Sequence, residues 1–235
     1  MPRSIYIGIK LKKIISQKSI LVIFLALIFL SAFYFFNYTK VGALIIWNST
    51  YSSSALQDLT EEERGFLKKF VDTATERTNH KVVYDSSYVD IEYPNGDVPE
   101  DTGVCADVII RAYRELGIDL QKEVHEDMVS NFDLYPKIWG LEEPDTNIDH
   151  RRVPNLMVFF KRYGQTLPIT ENVDDYLHGD MVVWRLSYGK THVGVVIDKL
   201  SSDQQRPLIV HNIGAGPKIN DVLFEWEIIG HFRYF

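Results

Sequence analysis

The chain has 235 residues, 46% hydrophobic and 24% charged, room for one full-sized domain and an accessory segment. Six of its 25 Lys and Arg and none of its 32 Asp and Glu fall in the first forty residues, so the remainder carries a net charge of −13. Such a surface repels nucleic acid and anionic headgroups, so neither is expected as a partner, and a single cysteine rules out an internal disulfide.

Residues 1–18 form a basic segment, followed at 19–38 by a membrane anchor whose core, "SILVIFLALIFLSAFYFF", is uncharged. At about 1.5 Å per residue this run nearly spans a hydrocarbon layer of about 30 Å. The excess of bases before it keeps the N-terminus in the cytosol and exports the rest. A cleaved signal peptide is the competing reading, disfavoured because "FFNYTK" offers no small-residue cleavage site. Residues 41–60, rich in Ser and Thr, read as a tether, and 61–235 as the exported domain. The expected location is therefore the bacterial envelope, with the domain outside the inner membrane.

Thr60 and Glu63 have capping-box spacing, and apolar residues at 66, 70, 71 and 74 predict an amphipathic helix. An extended segment from Lys81 breaks at Pro94-Asn95-Gly96 and Pro99. A helix then begins near Cys105, with Val108, Ile109, Ala112, Tyr113 and Leu116 as its apolar stripe and Gly117 as its terminator. "KEVHEDMVSNFDLY" reads as helical, 136–154 as a long ordered loop, and "VPNLMVFFKRYG" as a short helix. After Pro168 come four β-rich runs, "DMVVWRL", "THVGVVID", "PLIVHNIG" and "VLFEWEII…HFRYF", joined too closely for crossover helices. The expected class is α+β, with helices packed on a small antiparallel sheet.

A lone cysteine is a linker, an inert core residue or a reactive thiol. A helix start favours the thiolate through its free amides and dipole, and catalysis further needs an oriented base. His192 precedes an apolar strand and His211 ends the next one. If these strands pair, His192 is the candidate base and His211 its orienter, with Asn212 as the fallback orienter one residue on. The "DHRR" run (Asp149, His150, Arg151, Arg152) is a candidate carboxylate grip or a structural ion-pair network. His80, His178 and His231 read as incidental surface or turn residues. No histidine pair has zinc-site spacing on a helix, so no metal or cofactor is expected.

Tyr93, Gly96 and Gly103, with Cys105 opening "VIIRAYRELG", resemble the nucleophile segment of NlpC-like cysteine peptidases of the papain-like superfamily. "HGDMVVW", "THVGVVID" and "LIVHNIGAG" resemble that family's sheet. The runs "VVYDSSYVDIEYPNGDVPEDTGVCADV" and "DTNIDHRRVPNL" resemble, more closely still, an uncharacterised family of bacterial exported proteins grouped with that superfamily, domain of unknown function 1287. The resemblance implies a papain-like core and cleavage of an amide bond in peptidoglycan stem peptides. By position it makes Cys105 the nucleophile, His192 the base and acid, His211 the orienter, and Tyr93 a group that positions substrate or aids the oxyanion. Val104-Cys105-Ala106 departs from the usual Asp-Cys-Ser, and the insert of about sixty residues before the sheet is long for that family. The same thiol–imidazole chemistry serves acyl transfer, and a silent module that binds cell-wall peptide or tethers a partner is the alternative.

Overall fold

The computed structural model describes residues 59–235 and, before them, Ser31 alone. The expected cytosolic segment, anchor and tether lie outside the described residues, apart from Ser31 in the anchor and Leu59 and Thr60 at the end of the tether. The chain separates into two compact units, Met1–Ser52 and Ser53–Phe235, and only the second is described below. Among the described residues no helix is long and apolar enough to cross a membrane.

Helix α1 (Glu61–Glu76) starts where the capping box predicts: Glu63 N–H donates to Thr60 Oγ1 at 3.2 Å, and Thr60 N–H donates to Glu63 Oε2 at 2.7 Å. Short strands β1 (Val83–Tyr84) and β2 (Thr102–Gly103) pair in parallel and flank an irregular segment. That segment is held by side chains. Gln121 accepts from Gly96 N–H at 2.8 Å and donates to Glu92 and Thr146 carbonyls, while Arg111 donates to Asp97 and to the carbonyls of Val98, Pro99 and Thr102. Gly96 admits no side chain, since a Cβ there would stand 1.9 Å from Glu92 O.

Helix α2 (Cys105–Glu115) is buried from Cys105 through Tyr113. Helix α3 (Leu120–Asn131), capped by Asp119, ends before a 3₁₀ turn at Phe132–Leu134. The stretch expected as a loop at 136–154 contains a buried 3₁₀ turn, Asp149–Arg151, and leads into α4 (Val153–Tyr163).

The remaining strands, β3 (Gln165–Thr166), β4 (Met181–Arg185), β5 (Thr191–Leu200), β6 (Pro207–Asn212), β7 (Pro217–Asn220) and β8 (Glu227–Arg233), form one antiparallel sheet ordered β3-β8-β4-β5-β6-β7. The fold is thus mixed, a small parallel pair beside a larger antiparallel sheet. The antiparallel expectation matches; the parallel pair and the edge strands β3 and β7 were not expected. The fourth β run was also drawn too early, because residues 222–226 turn and the strand starts at Glu227.

Alternation sorts the sheet's two faces. Met181, Val183, Val193, Val195 and Phe232 pack with the helices, whereas Val182, Trp184, Val196 and Ile209 pack with Tyr176 and Leu223 on the other side. His231 is not incidental, as its sequence context suggested. It is 1% exposed, with Nε2 at 2.9 Å from Asp180 Oδ2 and Nδ1 at 2.8 Å from Pro168 O. Its two nitrogens thus join β8 to the segments before β4. Asp180 also accepts from Arg233 Nε at 2.7 Å, tying β8 to the turn before β4.

Candidate active site

Five side chains converge near the end of the sheet where β4 finishes, β5 begins and β6 ends, one of them, Asn220, reaching in from the last residue of β7. Trp184 faces His192 in register and stacks on it with ring centroids 5.8 Å apart. His192 and Gly194 share that face, and Gly194 pairs with His211. His192 Nε2 lies 2.8 Å from His211 Nδ1, and His211 Nε2 lies 3.1 Å from Asn220 Oδ1 on β7. Trp226 closes over the pair, 5.9 Å from the His192 ring and 6.2 Å from that of His211. A Cβ at Gly194 would stand 2.6 Å from Ile209 Cγ2 and 3.1 Å from His211 Cβ, so glycine is needed for His211 to lie this close.

Asn220 Oδ1 can only accept, so His211 carries its proton on Nε2. Its Nδ1 is then the acceptor for a proton on His192 Nε2. This order of protons leaves the lone pair of His192 on Nδ1, the form a general base needs. Burial, then repulsion by His211, pushes the His192 pKa down to about 3. Burial lowers His211 too, against the raising effect of its Asn220 bond. Both rings are neutral at neutral pH.

Cys105 opens α2 after an N-cap, Val104, that has no side-chain acceptor, so no capping group claims the first helical amides. The thiol is 4% exposed. Burial pushes its pKa up to about 11, opposed first by the Val193 amide and more weakly by the amides of Ala106 and Cys105, while Asp107 adds to the rise. The sulfur therefore meets β5 on its helix face, at the residue next to His192, whose ring leaves from the other face. Among the described residues no hydrogen bond joins the sulfur to either imidazole.

The other expected residues have different surroundings. Tyr93 sits edge-on against His125, 5.0 Å between centroids, and its charged neighbours are Glu126, Lys122 and Asp119. The tyrosine the structure sets beside Cys105 is Tyr84, whose pKa is raised to about 12 by burial and then by the Cys105 and Tyr188 groups. Asn212 does not orient an imidazole. Its Nδ2 donates to Gly103 O at 3.3 Å, fastening the end of β6 to the turn before Cys105. Arg151 grips Asp107 with two 2.9 Å bonds, Asp149 accepts from Asp145 N–H and Arg152, and Arg152 lies 4.3 Å over the Trp139 ring. His150 is buried, its pKa driven down to about 3 by burial and then by Arg151. The Asp149–Arg152 run is thus engaged within the protein. Among the described residues no group of three or more metal-binding side chains gathers.

Residues 71–234 match the family model described as "Domain of unknown function (DUF1287)". The chain belongs to that family. It is also 52% identical over 164 residues to "Uncharacterized protein YijF" of Escherichia coli (strain K12), covering 70% of this chain and 80% of that protein. The DUF1287 match contains Cys105, His192, His211 and Asn220, so the whole histidine relay lies inside the family domain. Asn220 has no signal in the sequence because the DUF1287 strand that carries it, "PKIN", is only four residues long, too short for a period to stand out.

Proposed function

We propose that this domain is an envelope thiol hydrolase of the NlpC-like, papain-like type, cleaving an amide bond in peptidoglycan stem peptides through an acyl-enzyme on Cys105. The observation that supports it most is the His192–His211–Asn220 relay, its protons ordered so that His192 Nδ1 is free, starting one residue from Val193, whose amide the Cys105 sulfur meets. The thiol and the imidazole are both neutral at rest, so the proton moves only as the bond forms. Sγ attacks the carbonyl carbon while its proton passes to His192. The C–N bond then breaks, the amine leaves with that proton, and a thioester remains. Water, deprotonated by His192, releases the acid and restores the thiol. Helix-start amides and the Tyr84 hydroxyl are the candidate stabilisers of the oxyanion. Because the sulfur and the ring lie on opposite faces of β5, the step requires the His192 ring to turn around the start of that strand to reach Cys105. The N-terminal segment anchors the domain outside the inner membrane.

The second reading is a non-catalytic module of the same fold that binds cell-wall peptide or tethers a partner. It is favoured by the buried, high-pKa thiol that bonds to no imidazole. Mass spectrometry of fragments released from purified peptidoglycan separates the two. Hydrolysis should vanish in Cys105→Ala, fall nearly as far in His192→Ala, and fall less in His211→Ala, with all three variants folded. Fragments released at full rate by folded Cys105→Ala would remove the thiol from the chemistry. No release by the unaltered chain would leave the binding module.

A further inference from the structure

Two clefts of opposite character flank the histidine relay at one end of the sheet. On the β8 side, a cavity of about 530 Å³ is lined by Ile169, Glu171, Phe224, Trp226 and Glu227. Trp226 is its shared wall with the relay, since the same ring contacts His192 and His211. Glu227 is paired with Arg185 at 3.0 Å, so Glu171 supplies the free negative charge beside two aromatic faces, a setting that suits an ammonium group.

On the β7 side, a cavity of about 580 Å³ lies between β1 and the turn into β7, lined by His80, Lys81, Lys218 and one acid, Asp101. Lys218 sits opposite His211 in register. Lys81 and Lys218 have no carboxylate partner among the described residues. In a region carrying −13, this gathering of bases suits a carboxylate.

The strand order is β8-β4-β5-β6-β7, so the acidic cleft, the relay and the basic cleft follow one another across the sheet. Four steps of about 4.8 Å separate the outer strands by about 19 Å, which an extended chain rising about 3.3 Å per residue covers in about five or six residues. We propose that the domain takes a short dipolar peptide laid across the strand ends, its ammonium group at Glu171 and Trp226 and its carboxylate at Lys81 and Lys218. This rests on the hydrolase reading for what happens next, but the binding can be tested without turnover.

The experiment is an NMR titration of the full chain carrying Cys105→Ala with an alanine pentapeptide of alternating L and D residues. It is compared with the same peptide N-acetylated or C-amidated. Each cap should weaken binding about tenfold. Glu171→Gln should erase only the acetylation penalty, and the pair Lys81→Gln/Lys218→Gln only the amidation penalty. Equal affinity for all three peptides, or a penalty that either variant leaves unchanged, would overturn the proposal. The predicted binding pattern without cleavage by the unaltered chain would sink the hydrolase reading alone, and cleavage without that pattern would sink this one alone.

Discussion

Asn220 decides where the protons of the relay sit. Its Oδ1, 3.1 Å from His211 Nε2, is what makes His211 an acceptor toward His192 and leaves His192 Nδ1 bare. In Asn220→Ala, His211 can carry its proton on Nδ1, and His192 must then turn its own proton away from Nε2. The variant should lose about ten- to a hundredfold in kcat with little change in KM, because the base is in the wrong form and the substrate contacts are intact. Imidazole ¹⁵N shifts give a readout independent of turnover. They should report His192 protonated on Nε2 in the unaltered chain and a mixture in the variant. Unchanged shifts would mean that Asn220 only braces β7. His192 and His211 were legible in the sequence because each stands where an apolar run meets a strand end. Asn220 and Tyr84 were not, since both lie on strands of four residues or fewer, too short for any period to show.

At the scale of elements, the nucleophile helix is positioned by a buried ion pair. Asp107 Oδ2 accepts the Val104 amide at 2.6 Å while both carboxylate oxygens accept from Arg151, whose side chain is 4% exposed. One carboxylate therefore closes the turn before Cys105 and ties α2 to the 149–151 turn. Arg151→Met leaves that carboxylate buried without its partner and should cost about 3–5 kcal/mol, read as a lowered urea midpoint. Asp107→Leu combined with Arg151→Met should cost less than the sum of the two single changes, since no charge is then stranded. A shift under about 0.5 kcal/mol for Arg151→Met would show the pair to be incidental. The start and apolar stripe of α2 were readable because Val108, Ile109, Ala112, Tyr113 and Leu116 recur at helical spacing before the Gly117 terminator, although burial itself is continuous from Cys105 to Tyr113. The buried turn at Asp149–Arg151 within the expected ordered loop was not, because polar contacts such as those of Asp149 and Arg151 build it, and these leave no periodic trace.

For the folded domain, the buried histidines set a pH limit. Burial lowers His150 and His192 to about 3, and lowers His178 and His211 as well. An unfolded chain takes up protons on these rings near pH 6.5, so below that value the unfolded state binds more protons than the folded one. The stability they confer is complete above about pH 6.5 and drains away as pH falls toward about 3, each ring steepening the loss by up to about 1.4 kcal/mol per pH unit. Carboxylates such as Asp127, which burial raises but the Arg162 and Tyr135 hydrogen bonds lower below the ordinary range, act only below about pH 4 and so occupy a separate window. The urea midpoint should therefore fall between pH 6.5 and 4.5, before carboxylates held low, such as Asp127, contribute. Asp149, which burial raises, works the other way by taking its proton first in the folded state. His150→Gln should flatten that slope by the share of one proton, because a ring buried against Arg151 is replaced by an amide that cannot charge. Midpoints that stay level from pH 7 to 5 would mean that these rings charge in place. The relay would then not be neutral when acid reaches it, and the bare nitrogen on which the chemistry depends would be lost before the fold is.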